Sequence, residues 1–392
     1  MDLMAAADLG MSLLSKLLSD FYRKSNAYFP DHIEEREFGI GDLVRKIAYR
    51  HMQFKSNDEF RKYMIANAPP YVSCSSAYYH FPAGRPMSAK GWIGSELIFD
   101  LDANDMHLDC QKVHGGSWVC DNCLERVKEE TFKLIEDFLM PDFGFSDSEI
   151  MVNFSGNRGY HVHVKSDVVM KLDTDARKEV SDYIAGHGID FEQIFKEEMV
   201  RGSKIRKLVG PRPVEKGWRG KVARKFISVM NNGKESLEQM GIDKGIARKL
   251  YEKRALVEMG IRNGNWDMVY IKNKADFWKS VIEKQAVAQS DRIDKNVTND
   301  TGHMIRLAGS IHGGSGLIAR KMAAYKNMER FDPMKDAIAF KSGNLRIIAD
   351  SRSKLVMDGK EYGPYNKEEV TIETAPAMYL YLKGLARIIS VA

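Results

Sequence analysis

The spacing of apolar residues divides the chain into helical and strand-like regions. Residues 1 to about 65 favour helices, beginning with an amphipathic stretch and continuing through HIEEREFGIGDLVRKIAYRHMQF. From about residue 71, four short segments rich in β-branched or aromatic residues predict strands. These segments are YVSCSSAYYHF, SELIFDLD, EIMVNF and YHVHVKS.

Helical patterns interrupt the predicted strands. The stretch ERVKEETFKLIEDFLM repeats apolar residues at helical spacing, and strands interleaved with such a helix indicate an α/β (α+β) fold. We therefore expect a core that begins with residues 1–172 and a helical insertion at 173–289. We expect the core to return at 290–350, with a C-terminal tail at 351–392 packed on it.

Composition limits the protein's class. Hydrophobic residues make up 44% of the chain and charged residues 29%, which excludes wholesale disorder. No run of about 18 apolar residues is present, and the first residues include the acid Asp2 and lack a convincing cleavage site. The sequence therefore predicts a soluble, cytoplasmic protein without membrane contact.

Two carboxylates follow each other on one face of a predicted strand. Side chains alternate along FDLDAND, so Asp100 and Asp102 point the same way. Like charges this close favour a hard divalent cation between them, such as Mg²⁺ or Mn²⁺. The alternative is a strand that ends in a solvated turn with Asn104 and Asp105.

A cysteine and histidine cluster lies within residues 107–123. The stretch CQKVHGGSWVCDNC offers a tetrahedral ligand set for structural Zn²⁺. Its members are Cys110, His114, Cys120 and Cys123. His107 competes with His114 for the fourth position, and the alternative is four reduced surface residues. Cys74 lacks a local partner and is expected to be a small buried residue.

The stretch MVNFSGNRGYHVHV predicts a hairpin whose turn contains two glycines. Ser155, Arg158 and a histidine would offer hydroxyl, guanidinium and imidazole donors to phosphate oxygens. His161 is favoured over His163 because it lies nearer the turn.

A third carboxylate is expected beyond the insertion, in DRIDKNVTNDTGHMIRLAGSIHGGSGL. Asp291, Asp294 and Asp300 are equal candidates by spacing, and Arg306 with His312 would add donors for a phosphate chain.

Residues 201–225 are strongly basic, with ten basic residues against the single acid Glu215. The basic residues are Arg201, Lys204, Arg206, Lys207, Arg212, Lys216, Arg219, Lys221, Arg224 and Lys225. With Trp218 interleaved, this segment could follow a template backbone. The alternative is a solvated basic loop.

The motif set resembles the archaeo-eukaryotic primase small (catalytic) subunit, and in particular its archaeal type. REF, FDLDAND, the Cys/His knuckle, SGNRGYHVHV and RLAGSIHGGSGL occur in the family's order over about residues 36 to 318. The resemblance implies a primase core with mixed sheets, one half like an RNA-recognition motif, flanking helices, a zinc knuckle and a helical insertion.

The resemblance also assigns roles to residues. It implies that Asp100, Asp102 and Asp294 bind the catalytic metals. The implied nucleotide-binding residues are Ser155, Arg158, His161, Arg306, His312 and Arg50, the last following Arg36 and Glu37 of the REF motif. One departure is the turn HGGSG, which lacks the Lys or Thr common in relatives.

The resemblance implies a DNA primase, a nucleotidyltransferase that makes short primers from nucleoside triphosphates on single-stranded DNA by a two-metal mechanism. A large subunit is implied as its partner in a heterodimer. The alternatives are a primase-like repair or extension polymerase acting alone and a non-catalytic zinc protein that binds nucleic acid.

Overall fold

A computed structural model describes residues 3–25, 29–188, 190, 194–199, 206–290 and 294–392. The chain forms two compact units. The first contains Met1–Thr131, Ser146–Lys178 and Asp294–Ala392, and the second contains Phe132–Phe145 and Glu179–Ile293. The second unit thus also takes in 132–145, and the domain boundaries expected from the sequence stay a prediction.

The helices and strands have the following bounds. The helices are α1 (Leu3–Lys24), α2 (Asn57–Asn67), α3 (Asp109–His114), α4 (Asp121–Lys133), α5 (Thr174–Ala185), α6 (Gly217–Asn231), α7 (Lys234–Gln239), α8 (Lys244–Glu252), α9 (Arg254–Arg262), α10 (Lys274–Ser290), α11 (Lys295–Asn299), α12 (Pro333–Asp336) and α13 (Thr374–Leu382). The strands are β1 (Arg36–Gly41), β2 (Tyr49–Met52), β3 (Tyr71–Tyr79), β4 (Trp92–Ser95), β5 (Leu97–Asp102), β6 (Ile150–Phe154), β7 (Gly159–Val164), β8 (Lys196–Met199), β9 (Arg206–Val209), β10 (Met304–Arg306), β11 (Arg320–Lys321), β12 (Asn344–Ser351), β13 (Leu355–Met357), β14 (Lys360–Tyr362), β15 (Tyr365–Glu373) and β16 (Ala386–Val391).

The first sheet has the antiparallel order β10-β3-β1-β2, and β4 also pairs with β3. The prediction of a helix around residues 32–54 is wrong, because β1 and β2 occupy this region. All six residues of β1 are buried between its neighbours, so the strand shows no polar alternation. Gly39 and Gly41 also disfavour a helix, and a Cβ at Gly41 would lie 2.2 Å from the Lys46 carbonyl oxygen.

The second sheet has the order β11-β6-β7-β5. The strands expected in SELIFDLD, EIMVNF and YHVHVKS are confirmed as β5, β6 and β7. Leu97, Phe99 and Leu101 are buried on one face of β5. On the other face, Asp100 lies directly opposite His161 of β7.

The C-terminal residues form a third antiparallel sheet with the order β15-β12-β16. Strands β13 and β14, which lie between β12 and β15 in sequence, pair with each other. Helix α13 lies between β15 and β16 in sequence, and α1 contacts β16. The combination of several antiparallel sheets with many helices confirms the α/β (α+β) fold class.

The second unit is mainly helical and has its own hydrophobic core, in which Phe226, Trp266 and Trp278 contact one another. Within its described residues, the basic segment is not a loop throughout, because it contains β9 and the start of α6. Arg201 and Lys204 lie outside the described residues. In the described part of the chain, no helix is long and apolar enough to cross a membrane.

Several basic side chains of this segment are already engaged within the second unit. Arg212 and Arg219 both pair with Glu215, and Lys221 pairs with Asp142. Trp218 donates its indole N–H to the Tyr183 carbonyl oxygen at 2.7 Å, so this side chain contributes to internal packing.

Candidate active site and zinc centre

Two aspartates of β5 lie near a third aspartate that comes from a distant part of the chain. Asp100 and Asp102 lie on one face of the strand, with 29% and 31% of their side chains exposed. Asp294 donates its main-chain amide to the Asp100 carbonyl oxygen at 3.2 Å. The buried cluster of Ile98, Val297 and Ile305 packs α11, which Asp294 caps, against the same strand.

The acidic residues repel one another. Burial raises the pKa of Asp100 to about 7, and the nearby Asp102, Asp294 and Asp105 carboxylates add to this effect. The pKa of Asp105 is also raised by burial and by Asp102 and Asp294. Binding of a cation would relieve this repulsion, so the donor set fits a hard divalent ion.

The other candidates for the third carboxylate differ from Asp294. Asp300 accepts the Gly302 amide, and its hydrogen bond with His303 lowers its pKa. Asp291 lies outside the described residues.

The two histidines of β7 have different surroundings. His163 donates from Nδ1 to Glu96 at 2.8 Å, and its Nε2 accepts from the Asn153 amide at 3.1 Å. Both ring nitrogens of His163 are therefore used in the core. His161 places Nε2 3.7 Å from Asp100, and its buried Nδ1 has no hydrogen-bond partner among the described residues.

The imidazole of His161 is neutral near pH 7. Burial holds its pKa well below the usual range, and the neighbouring His163 and Arg306 act in the same direction. A neutral imidazole can donate a hydrogen bond to a ligand without an additional buried charge.

The turn between β6 and β7 positions Ser155 and Arg158. Ser155 Oγ accepts the Gly159 amide at 3.1 Å, which leaves its O–H able to donate. Arg158 Nε pairs with both oxygens of Asp102, at 2.6 and 2.9 Å. Its Nη1 donates to the Gly116 carbonyl oxygen at 2.7 Å.

The turn packs directly on the segment that returns after the insertion. Ser315 Oγ donates to the Gly156 carbonyl oxygen at 2.5 Å. Gly156 has a φ of +85°, and a Cβ there would lie 2.9 Å from the Cβ of His312. A side chain at position 156 would therefore separate the two segments.

His312 lies near several positively charged side chains. Its Nδ1 accepts the Gly314 amide at 3.1 Å, so the ring proton is on Nε2. Burial holds its pKa well below the usual range, and nearby positive charges lower it further. These charges belong to Arg306, Lys383, Lys46 and Arg158.

Arg306 is a half-buried cation without a carboxylate partner among the described residues. Its guanidinium lies 4.6 Å from the centre of the Tyr71 ring, and Nη1 reaches the Val72 carbonyl oxygen at 3.4 Å. Burial lowers its pKa to about 10. An anionic ligand would supply the missing negative charge.

Arg50 lies apart from these residues. It donates from Nε to Glu37 at 2.9 Å, and the fully buried Glu37 also lies 3.3 Å from Lys90 Nζ. The structure does not bring Arg50 into contact with Arg158, His161 or His312, so its expected nucleotide contact stays a prediction.

The Cys/His cluster has the geometry of a tetrahedral metal site. The sulfur atoms of Cys110 and Cys120 lie 3.5 and 3.7 Å from that of Cys123, and His114 Nε2 lies 3.5 Å from the same sulfur. Zinc–sulfur bonds of about 2.3 Å would separate tetrahedral sulfurs by roughly 3.8 Å. His107 is not part of this group.

The surroundings of the cluster favour metal binding. His114 Nδ1 lies 2.8 Å from the Gly115 carbonyl oxygen, which places the ring proton on Nδ1 and leaves Nε2 free to bind a metal. Burial alone would raise the pKa of Cys110, but hydrogen bonds from Asn122 and the other cluster members lower it to about 7. The residues present therefore fit Zn²⁺.

Three charged residues near the site, Asp105, Lys46 and Lys383, were given no role from the sequence. Asp105 lies three residues after Asp102 in DAND, so its position in the sequence could have indicated that it lies near the carboxylate pair. Lys383 comes from the end of α13, and its apolar surroundings in YLYLKG carry no signal of an active site.

Comparisons with known proteins identify the family of this chain. The family described as DNA primase small subunit matches residues 99–324. The "DNA primase small subunit PriS" of Methanosarcina barkeri is 33% identical, covering 93% of this chain and 94% of the relative. The protein of the same name from Methanothrix thermoacetophila is 33% identical, and the match covers 94% of this chain and 96% of the relative. The one from Methanocaldococcus jannaschii is 29% identical, and the match covers 94% of this chain and 95% of the relative. The chain therefore belongs to the DNA primase small subunit family, whose name denotes primer synthesis in DNA replication.

Proposed function

We propose that this chain is a catalytic subunit that synthesises short primers on single-stranded DNA by transferring nucleotides from nucleoside triphosphates to a 3′-hydroxyl. One observation carries this proposal: within the first unit, the carboxylates at β5 lie beside the cations around His312. Phosphoryl transfer requires this combination, because metal ligands and phosphate-binding cations must act on one substrate.

Asp100, Asp102 and Asp294 would hold two Mg²⁺ or Mn²⁺ ions. Carboxylate oxygens suit both ions, and the pKa of Asp100 is raised by burial and, in addition, by the neighbouring carboxylates. When bound, such ions neutralise charge on the attacking and leaving oxygens.

The cations and donors facing the carboxylates would bind the triphosphate. Arg306 would gain an anionic partner, and His312 would donate from Nε2. Ser155 and His161 have donors suited to the same chain of phosphates, while Arg158 would move from Asp102 to a phosphate oxygen as metal binds. These residues orient the nucleotide so that its α-phosphate faces the carboxylates.

The Zn²⁺ site would be structural, since its four protein ligands leave no position open. A primase large subunit is proposed as the partner in a heterodimer. The basic residues of 201–225 that are not paired internally are proposed to contact the template. Cytoplasmic localisation remains a prediction.

The test is primer synthesis on single-stranded DNA, with ribonucleotides or deoxynucleotides and with Mg²⁺ or Mn²⁺. The wild-type chain should make products of several nucleotides without a supplied primer. Asp100→Asn should abolish synthesis, whereas Asp167→Asn, an exposed carboxylate in the same unit, should not. Extension only of supplied primers would indicate an extension polymerase, and template binding without turnover would indicate a non-catalytic protein.

A further inference from the structure

One cation of the site comes from the C-terminal part of the chain. Lys383 caps the C-terminus of α13, where its backbone amide donates to the Tyr379 carbonyl oxygen. Tyr379 is buried and packs edge-to-face on Trp118 with ring centres 5.8 Å apart. The helix therefore fixes the position from which the Lys383 side chain extends.

The Lys383 ammonium bridges two loops through neutral acceptors. Its Nζ donates to the Ser117 carbonyl oxygen at 2.9 Å and to Asn157 Oδ1 at 3.0 Å. Ser117 lies between the zinc ligands His114 and Cys120, and Asn157 lies in the turn between β6 and β7. Among the described residues, Lys383 forms no ion pair with a carboxylate.

The charge of Lys383 acts on the same site as the residues proposed to bind phosphate. It is one of the cations that lower the pKa of His312. Burial lowers the pKa of Lys383 itself to about 8, and the neighbouring Arg158 acts in the same direction, opposed by Asp102. Lys383 is therefore a partly desolvated cation beside a second cation.

A purely structural role explains only part of this arrangement. Any neutral hydrogen-bond donor of suitable length could bridge the Ser117 carbonyl oxygen and Asn157. A positive charge near Arg158 makes this bridge less favourable, because the two cations repel each other. The ammonium also lies 5.3 Å from the centre of the Tyr379 ring, and an anion shared with Arg158 and His312 would give the charge a direct partner. Two of the three ammonium protons are used, which leaves one to donate to such an anion.

We propose that Lys383 binds the triphosphate of the incoming nucleotide together with Arg158 and His312. This role rests on the proposed function, because it requires nucleoside triphosphate to bind at this site. It adds the C-terminal helix to the nucleotide-binding elements.

The test measures equilibrium binding of ATP, ADP and AMP by calorimetry, with Mg²⁺ and without template, so that no turnover is needed. Lys383→Met should weaken ATP binding at least about tenfold, with AMP binding unchanged, since the loss of a charge-assisted hydrogen bond acts only on ligands that reach it. Lys383→Arg should recover part of the affinity. Lys341→Met, an exposed lysine in the same unit, is the matched control and should bind like the wild type.

Lys383→Gln separates charge from the structural contacts, because its amide can still donate to Ser117 or Asn157. Wild-type ATP affinity in Lys383→Gln or Lys383→Met would overturn the proposal. Equal weakening of ATP, ADP and AMP together with a lower melting temperature would also overturn it, in favour of a structural bridge. If the wild-type chain itself binds no ATP, the proposed function fails with it.

Discussion

The main-chain amide of Asp294 donates a hydrogen bond to the main-chain carbonyl of Asp100 at 3.2 Å. The two residues are thus joined through their backbones and not through the carboxylates proposed to bind metal. Substitution of either side chain leaves this bond available, so variants at both positions can report on chemistry while the local structure is retained.

Asp294→Asn should reduce primer synthesis at least about 100-fold, because it removes a charged metal ligand from the site. Asparagine is also a good helix N-cap, so α11 should still begin at the same place. Asp300→Asn is the matched control, since Asp300 pairs with His303. Equal losses in the two variants would contradict the assignment of Asp294.

The raised pKa of Asp100 predicts a pH-dependent cost to stability in buffer without Mg²⁺ or Mn²⁺. Below about pH 3 the Asp100 carboxyl is protonated in both the folded and unfolded states. As pH rises to about 7, the unfolded state loses this proton first, so the folded state is progressively disfavoured. Asp100→Asn should remove this cost.

The free energy of unfolding of Asp100→Asn should therefore exceed that of the wild type by an amount that grows between pH 5 and pH 8, to on the order of 2 kcal/mol. Urea unfolding at each pH, with zinc retained, measures this difference. Added Mn²⁺ should reverse the ranking, because only the wild type has the complete site. A constant difference across this pH range would argue against repulsion at Asp100.

His161 and His163 should respond differently to the same substitution. His163→Leu removes a hydrogen-bond partner from the buried Asn153 amide and from Glu96 Oε2, although Arg36 still pairs with Glu96, and should lower the free energy of unfolding by about 2–4 kcal/mol. His161→Leu removes an imidazole whose Nδ1 has no partner, so it should cost about 1 kcal/mol or less but weaken ATP binding. Calorimetry and urea unfolding of both variants test this, and the opposite pattern would exchange their roles.

The sequence predicted correctly those strands whose alternation of apolar and polar residues matches the faces that they bury and expose in the fold. Strand β5 alternates between buried apolar and site-facing residues, so its carboxylates were identifiable. Strand β1 is buried throughout and contains two glycines, so no alternation marked it. The two histidines of β7 differ in their hydrogen-bond partners in the folded chain. Their spacing in HVH does not reveal these partners.

Asp294 and Lys383 show why the rest of the site was harder to predict from the sequence. Spacing left Asp294 equal to two other aspartates, and only the family resemblance separated them. Lys383 is a lone lysine after an apolar helix, and its relation to Asn157 exists only once α13 has packed.

Zinc removal should lower both stability and nucleotide affinity. The loop between the zinc ligands supplies the Gly116 and Ser117 carbonyl groups that hold Arg158 and Lys383. Cys123→Ser should lose the metal, lower the melting temperature and weaken ATP binding. Cys74→Ala is the control, because Cys74 lies in β3 and should leave the zinc content unchanged. Metal analysis showing full zinc occupancy in Cys123→Ser would contradict the assigned ligand set.

The packing of Tyr379 on Trp118 has a consequence for biosynthesis. Chains emerge from the ribosome N-terminus first, at about 5–20 residues per second, so the zinc loop is made well before α13. Until α13 arrives, Trp118 lacks its aromatic neighbour and Asn157 lacks the lysine that it accepts from. The proposed nucleotide site is therefore completed only after α13 has been made and Tyr379 has packed on Trp118.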